Sequence, residues 1–152
     1  MPWTREALTP VTTDPYDLER FVAAQDEAGT YGRAVAELRR GSKTSHWMWF
    51  VFPQIRGLGH SPAARLYGIS GLAEARAYLA HPVLGPRLAE CAAIVAGASG
   101  LTAEQIFGGI DAVKLRSSMT LFSRAGPDQP VFAEVLQKYF GGEPDPATLQ
   151  RI

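Results

Sequence analysis

The sequence predicts a mainly α-helical fold, a single compact multi-helix domain with at most a minor strand element. Helix-start signals recur along the chain, as at Ser61-Pro62, where a capping residue precedes a proline at the first helical position. Apolar residues follow these signals at helical spacing, and glycines mark the ends of the segments. No series of alternating polar and apolar residues indicates a sheet, and only residues 46–52 are typical of a strand.

Four helices are predicted in the first half of the chain. Each lies between a capping residue and either a glycine, the end of an apolar stripe or a residue before proline, which disfavours helical geometry. Their capping and final residues are Asp14 and Gly29, Thr30 and Gly41, Ser61 and Tyr67, and Ser70 and His81.

The second half of the chain contains further helix signals, which bring the expected total to seven or eight helices. An apolar stripe begins at Leu84, and a capping-box pattern begins a short turn. Asp111, Pro130 and Asp145 each mark the start of a later segment. The predicted segments are 84–97, 102–108, 111–123, 130–141 and a final turn from 145.

Length and composition predict one folded domain. The chain has 152 residues, of which 46% are apolar and 20% charged, an ordinary globular composition. We assign residues 1–13 to an N-terminal tail and residues 14–152 to one globular helical domain. Fifteen basic and fifteen acidic residues give no net charge. Nucleic-acid-binding domains usually carry a basic excess, so a nucleic-acid partner is not expected.

The sequence favours a cytoplasmic protein with no membrane partner. Cys91 is its only cysteine, which excludes an intramolecular disulfide, and its helical position among alanines indicates inert burial. The N-terminus shows no secretory signal. The longest apolar run, Trp47–Pro53, has seven residues, whereas a membrane span needs about 20. Nothing in the sequence indicates the oligomeric state.

An aromatic segment near the middle of the chain is the first candidate for a functional site. Residues 46–55 contain two of the three tryptophans and two of the seven phenylalanines. Most of these rings are expected in the core, because each buries on the order of 150–250 Å². The segment is bracketed by polar residues that a plain core does not need, and this favours a pocket. They are Lys43, His46, Gln54 and Arg56.

A second candidate lies on the helix predicted from Asp111. Lys114, Ser117 and Ser118 share one side of this helix, opposite an apolar side that contains Met119. Serines lower helix propensity, so their presence beside a lysine indicates either a ligand-facing surface or a close crossing of two helices. We predict that His46, Gln54, Lys114, Ser117 and Ser118 line one pocket walled by Trp47 or Trp49.

Other patterns favour structural roles. Arg33, Arg39, Arg40 and Lys43 form a basic cluster that is typical of a solvated helix end, given the neutral chain. The three histidines lack the spacing of a metal site, and the usual phosphate-loop and nucleophile motifs are absent, so no metal and no cofactor are predicted.

Two stretches resemble the signature motifs of a bacterial family, the domain of unknown function numbered 1810, sometimes mislabelled calpastatin. They are residues 46–54 and 114–122, and shorter matching pieces extend the resemblance from Pro15 to Thr148. The resemblance implies a mainly helical fold and no established activity. A fainter similarity links the chain to small helical domains that act on ADP-ribose and related N-glycosides, which also place a histidine and aromatic segment before a lysine-containing helix.

Three classes of function fit these features. The first is binding or processing of a small nucleotide-like or ribosyl ligand, in which Trp47 or Trp49 stacks on a base and His46, Asp111 and Lys114 are the candidate catalytic residues. The second is a non-catalytic module that binds a small ligand or a peptide in the same pocket. The third is an interaction protein, with Trp3 and exposed rings at a homodimer face. Whether the protein is an enzyme is left open by the residues alone.

Overall fold

Helices make up nearly all of the regular structure in the computed structural model, which describes residues 13–152. A short 3-10 helix, Glu27–Gly29, joins the first two α-helices, and Ile55 and Ile69 form an isolated parallel bridge. No sheet occurs in this range, and the predicted mainly α-helical class is confirmed. The α-helices are α1 (Glu19–Asp26), α2 (Thr30–Arg40), α3 (Met48–Val51), α4 (Pro62–Leu66), α5 (Leu72–Ala80), α6 (Leu84–Gly97), α7 (Ala103–Phe107), α8 (Gly109–Ala125), α9 (Val131–Phe140) and α10 (Pro146–Leu149).

Helix α8 lies at the centre of the fold. It packs against α5, α7, α9 and α10, and α6 packs in turn against α2, α5 and α9. Most side chains of α8 from Leu115 onward are buried, including the serines that the sequence placed on a separate polar face. The polar face is therefore confined to the first turns of α8, where Asp111 and Lys114 lie.

Aromatic rings connect the layers of the core. Tyr78 of α5 contacts Phe21 of α1 with ring centroids 5.1 Å apart and Phe122 of α8 at 5.4 Å, and Phe122 contacts Phe132 of α9 at 6.0 Å. All four rings are fully buried. Such tilted and edge-to-face pairs add about 0.5–1.5 kcal/mol each beyond the area that they bury.

Several predicted helix caps are confirmed. The Ser61 hydroxyl accepts a hydrogen bond from the Ala64 amide, Thr102 and Gln105 form the predicted capping box, and Asp145 accepts from the Thr148 amide. In each case the bond stays within one turn of chain, so the sequence contains all the information needed.

Three other predicted caps are wrong. Helix α2 begins after Gly29, which adopts a left-handed conformation, and Thr30 makes no capping bond. Gly71 is the residue that precedes α5. Ser70 does not cap this helix, because its hydroxyl donates to Glu74. Helix α8 begins at Gly109, so Asp111 lies inside its first turn. This position leaves the Asp111 carboxylate free for partners elsewhere in the fold.

The beginning of the chain differs in detail from the prediction. Asp14 accepts hydrogen bonds from the amides of Leu18 and Glu19, and these bonds lower its pKa. Helix α1 begins only at Glu19, because Asp17 has a φ of 52° and interrupts the turn that Pro15 was expected to start. The predicted tail of residues 1–13 lies outside the described residues except for its last residue, and Trp3 lies outside them too.

No strand forms at residues 46–52, the only stretch with a strand-like pattern, because its centre is the short helix α3. The chain after α3 then turns through Gln54 and Ile55. The Gln54 carbonyl accepts from the Ile69 amide at 2.9 Å, and the Arg56 amide donates to the Ile69 carbonyl at 2.7 Å. This pairing closes the loop that carries α4 and holds Gln54 beside α3. Over the described range, no helix is long and apolar enough to cross a membrane.

Candidate functional site

A cavity of about 230 Å³ lies between α3 with its preceding loop, the first turns of α8 and the helix α4. We refer to it as the first cavity. Its polar lining residues are Lys43, His46, Asp111 and Lys114, and its aromatic lining residues are Trp47, Trp49, Phe50 and Tyr67. The structure therefore brings the two segments selected from the sequence to one concave surface.

Two lysines converge on one carboxylate in the first cavity. Lys43 Nζ lies 2.7 Å from Asp111 Oδ2, and Lys114 Nζ lies 3.1 Å from Asp111 Oδ1. Burial on its own would raise the pKa of Asp111, but the hydrogen bonds from both lysines outweigh burial and lower it. Asp111 is therefore ionised at neutral pH, and the three side chains together carry one excess positive charge.

Both lysines also contact indole rings. Lys114 Nζ lies 4.3 Å from the centroid of the Trp49 ring, and Lys43 Nζ lies 5.0 Å from that of Trp47. These distances fall within the range of cation–π interactions. Trp47 is only 1% exposed and belongs to the core, so its ring has no free face for stacking. Trp49 is half-buried and borders the cavity.

Lys43 connects the loop after α2 to the rest of the site. Its ammonium also donates to the Ser45 carbonyl at 2.7 Å, and its backbone amide donates to the Ile106 carbonyl of α7 at 2.7 Å. Only 7% of the Lys43 side chain is exposed. The interpretation of Lys43 as part of a solvated helix end is therefore wrong, although Arg33, Arg39 and Arg40 are exposed as that interpretation requires.

Glu37 of α2 holds the loop that carries Lys43 and His46. One carboxylate oxygen accepts from the amides of Thr44 and Ser45, at 2.9 and 3.0 Å, and from the Trp47 indole at 2.9 Å. The other oxygen accepts from the Ser45 hydroxyl. Burial alone would raise the pKa of Glu37, but these hydrogen bonds outweigh burial and lower the pKa to about 2.

Sequence reasoning missed Glu37 entirely. One signal was present, because Glu37 lies in the last turn of α2, where a carboxylate opposes the helix dipole. An acidic residue at a helix C-terminus that is also buried needs strong donors from elsewhere. His46, by contrast, is exposed and lies at the mouth of the first cavity.

A second cavity, of about 430 Å³, lies on the other side of Trp49 and Lys114, which line both cavities. Its other polar lining residues are Gln54, Ser117 and Asp145, and its apolar lining residues are Leu58, Ile110, Val113 and Ala147. Gln54 is 5% exposed, and its Nε2 atom is buried with no hydrogen-bond partner among residues 13–152. This unpartnered donor is the most unusual polar group in the second cavity, because buried donors are nearly always paired.

The two serines of the predicted site have different surroundings. The Ser117 hydroxyl donates to Asp145 Oδ2 at 2.8 Å, and the same oxygen accepts from Thr148 of α10. Ser117 therefore connects α8 to α10 at the edge of the second cavity. Ser118 is fully buried and lines neither cavity, and its Oγ has no hydrogen-bond partner in the described part of the chain.

The predicted residues are thus divided over two adjoining cavities. His46, Trp47 and Asp111 line the first, Gln54 and Ser117 line the second, and Trp49 and Lys114 line both. Of the predicted residues, Ser118 stands apart, because it is fully buried and lines neither cavity. The prediction that these residues bind a ligand stays a prediction, and the structure places all of them except Ser118 in two adjoining cavities and not in one.

Cys91 and His81 have structural surroundings. Cys91 is fully buried, as predicted, and burial raises the pKa of its thiol to about 12. His81 Nδ1 accepts hydrogen bonds from the amides of Val83 and Leu84, at the start of α6. Within residues 13–152, no three His, Cys, Asp or Glu side chains lie close enough together to hold a metal ion.

Comparison with known proteins gives a family and a structural relative. The family model "Protein of unknown function (DUF1810)" matches residues 15–152. A crystal structure of the conserved hypothetical protein Rv1873 from Mycobacterium tuberculosis is 55% identical and superimposes with a TM-score of 0.87. The match covers 90% of this chain and 96% of that chain. No curated protein matches the sequence.

Proposed function

Since the chain belongs to the DUF1810 family of proteins of unknown function, we propose a function from the geometry of its cavities: the protein binds a small anionic ligand, nucleotide-like or ribosyl in type, in the first cavity. The observation that carries this proposal is the convergence of Lys43 and Lys114 on the single carboxylate of Asp111. An anion that enters the cavity meets an excess positive charge in a partly desolvated, concave site, where electrostatic attraction is stronger than in bulk water.

Lys114 is the lysine best placed to meet the ligand. An ammonium has three N–H donors, and that of Lys114 makes one hydrogen bond to a described residue, the bond to Asp111. The ammonium of Lys43 uses two donors, for Asp111 and the Ser45 carbonyl. Lys114 is also the more exposed of the two, with 21% of its side chain accessible against 7% for Lys43. Within residues 13–152, two of the three donors of Lys114 make no hydrogen bond and are available to a phosphate or carboxylate group.

Aromatic side chains supply the apolar wall for the sugar or ring of such a ligand. Phe50 and Tyr67 lie with ring centroids 5.3 Å apart and, with Trp49, border the first cavity. Burial of Trp47 favours Trp49 as the ring that contacts a base. His46 at the mouth adds a donor within the same cavity.

The arrangement favours binding over covalent catalysis by Lys114. A nucleophilic amine must be free to approach its target, whereas the Lys114 ammonium is held in an ion pair with Asp111 at 3.1 Å. Asp111 in turn is held ionised between two cations, so it acts as a fixed negative charge. The proposed role of the cluster is to orient and retain an anionic group.

The proposal is tested by thermal shift and calorimetry with four probes: inorganic phosphate, ribose 5-phosphate, AMP and ADP-ribose. Wild type is expected to gain about 2.7 kcal/mol of stability from a bound probe at one hundred times its Kd. Lys114→Ala is expected to weaken binding by about tenfold or more, since it removes a charge-assisted hydrogen bond. The melting temperature without ligand is expected to stay nearly unchanged, because Asp111 keeps Lys43 as a partner.

The matched control is Lys138→Ala, which removes the same charge from the exposed face of α9. It is expected to bind every probe like wild type. Equal losses in the two variants would mean that net charge, and not the first cavity, attracts the anion. If no probe binds wild type, the proposed function is wrong.

A further inference from the structure

We infer that the two cavities form one binding site, an inference that rests on the proposed function. The second cavity holds the uncharged half of the ligand, which is a ring system with a hydrogen-bond acceptor opposite Gln54. Trp49 and Lys114 line both cavities, so a ligand anchored at Lys114 has access to either side of this pair. The ligand class is thus an anionic group joined to a neutral, largely apolar ring, for which a nucleoside monophosphate is the simplest probe.

The volumes support a ligand that extends beyond the first cavity. At about 230 Å³ the first cavity is smaller than the range of roughly 300–1,000 Å³ typical of small-molecule sites, whereas the second, at about 430 Å³, lies within it. A sugar phosphate is therefore matched to the first cavity, and an attached ring needs additional space. The second cavity supplies that space next to the same lysine.

Gln54 supplies the polar recognition. No other described residue hydrogen-bonds its buried Nε2 atom, and the side chain is 5% exposed and lines the second cavity. The terminal torsion of a glutamine is soft, so a small rotation of the amide directs this donor into the cavity. An acceptor on the ligand then gives the Gln54 amide a hydrogen bond. The cost of removing this donor from water is already part of the free energy of the folded protein.

The apolar lining fits a ring. Ile110 and Val113 of α8 are 77% and 63% exposed, which is unusual for large apolar side chains, and both line the second cavity. Leu58 and Ala147 line it as well. A ring bound there removes apolar surface of the protein from water. The nearby Asp145 uses its Oδ2 atom to accept from Ser117 and Thr148.

The experiment compares AMP with ribose 5-phosphate, which share the phosphorylated sugar and differ in the ring. In wild type, AMP is expected to bind at least tenfold more tightly than ribose 5-phosphate. Gln54→Met keeps the side-chain volume and removes the donor, so it is expected to weaken AMP about tenfold and to leave ribose 5-phosphate unchanged. Its melting temperature is expected to equal or exceed that of wild type, because an unsatisfied donor is lost.

Ser118→Ala is the matched control. It removes the other buried polar group without a partner, which lines neither cavity, so AMP binding is expected to stay at the wild-type level. Ala147→Leu provides a second variant should Gln54→Met not fold. It fills the second cavity from α10 and is expected to weaken AMP while ribose 5-phosphate binds as before.

Failure of this inference is distinguishable from failure of the proposed function. If AMP and ribose 5-phosphate bind equally, and Lys114→Ala weakens both while Gln54→Met changes neither, the proposed function stands and the extended site is wrong. If none of the four probes binds wild type, both proposals are wrong. A dimer in sedimentation that Ile110→Asp dissociates would assign this face to a second copy of the chain and would overturn the extended site.

Discussion

The Glu37 carboxylate accepts four hydrogen bonds from residues 44–47, the segment that carries His46 and ends at Trp47. Glu37 therefore shapes the first cavity without lining it. A buried carboxylate with this many donors is stable only in its ionised form, and its position explains why the loop that follows α2 turns back towards α8. Lys43, on the same loop, reaches Asp111 as a result.

The stability of the protein is expected to depend on pH through Glu37. Its pKa is about 2 in the folded state against a usual 4.5, so its contribution is fully present above pH 4.5 and is lost as the pH falls towards 2. The pKa difference corresponds to on the order of 3 kcal/mol. Glu37→Gln is expected to lose stability of this order at pH 7 and to show a flatter decline below pH 4.5, as measured by urea unfolding across the pH range.

Glu134→Gln, on the exposed side of α9, serves as the control and is expected to unfold like wild type at every pH. If Glu37→Gln retains the full acid dependence of wild type, the loss of stability in acid originates from other carboxylates.

The contact between helices α5 and α6 depends on one glycine. A Cβ atom on Gly85 would lie 2.1 Å from the carbonyl oxygen of Leu79, which is backbone and cannot rotate away. Gly85 therefore permits α6 to start directly against the end of α5. Because α5 packs against α8 and α6 packs against α9, this corner joins two parts of the core.

Gly85→Ala is expected to destabilise the protein by about 1–3 kcal/mol or more, the range for forced overpacking. The matched control is Gly97→Ala at the other end of α6, where a Cβ atom meets nothing within 4 Å. That variant is expected to be unchanged or slightly stabilised, because alanine favours the helix over glycine. Equal stability of the two variants in a denaturant melt would show that the backbone at Gly85 yields easily.

The helix caps show which elements could be predicted from the sequence. The caps at Ser61, Thr102 and Asp145 were predictable because their bonds close within one turn. Ser70 and Asp111 are equally good capping residues, but neither side chain caps a helix. The Ser70 hydroxyl donates to Glu74, and the Asp111 carboxylate pairs with Lys43 and Lys114. The aromatic segment was the only stretch typical of a strand, but residues 48–51 form a single helical turn in which Met48 and Val51 are buried.

The candidate site was predictable in part for a related reason. Lys114 and the tryptophans were selected because polar and aromatic residues stood where a plain core helix would use leucine or alanine, and they do share a cavity. Glu37 and the role of Lys43 depend on contacts between α2, its loop and α8, which no local pattern contains. Ser118 followed the same local pattern as Ser117 and yet lies in the core.

For the whole molecule, Cys91 reports on global unfolding. It is the only cysteine of the chain, it is fully buried, and burial raises the pKa of its thiol to about 12. Thiolate is the reactive form, so a disulfide reagent at pH 8 is expected to react only with molecules that have opened. The labelling rate is therefore expected to follow the equilibrium constant for unfolding as urea is added.

Ser99→Cys in the exposed loop after α6 is the control, and its added thiol is expected to react at once in the folded protein. Rapid labelling of Cys91 in native wild type, without urea, would reveal local opening of α6 that leaves the rest of the fold intact.

The wall formed by Trp49 and Lys114 makes the two cavities thermodynamically dependent on each other. An anion that approaches Lys114 from the first cavity competes with the indole ring and with Asp111 for the same ammonium. Any resulting shift of the Lys114 side chain alters the lining of the second cavity. Two fragments that occupy the cavities together would thus change each other's affinity, and by linkage they would do so by the same factor in both directions.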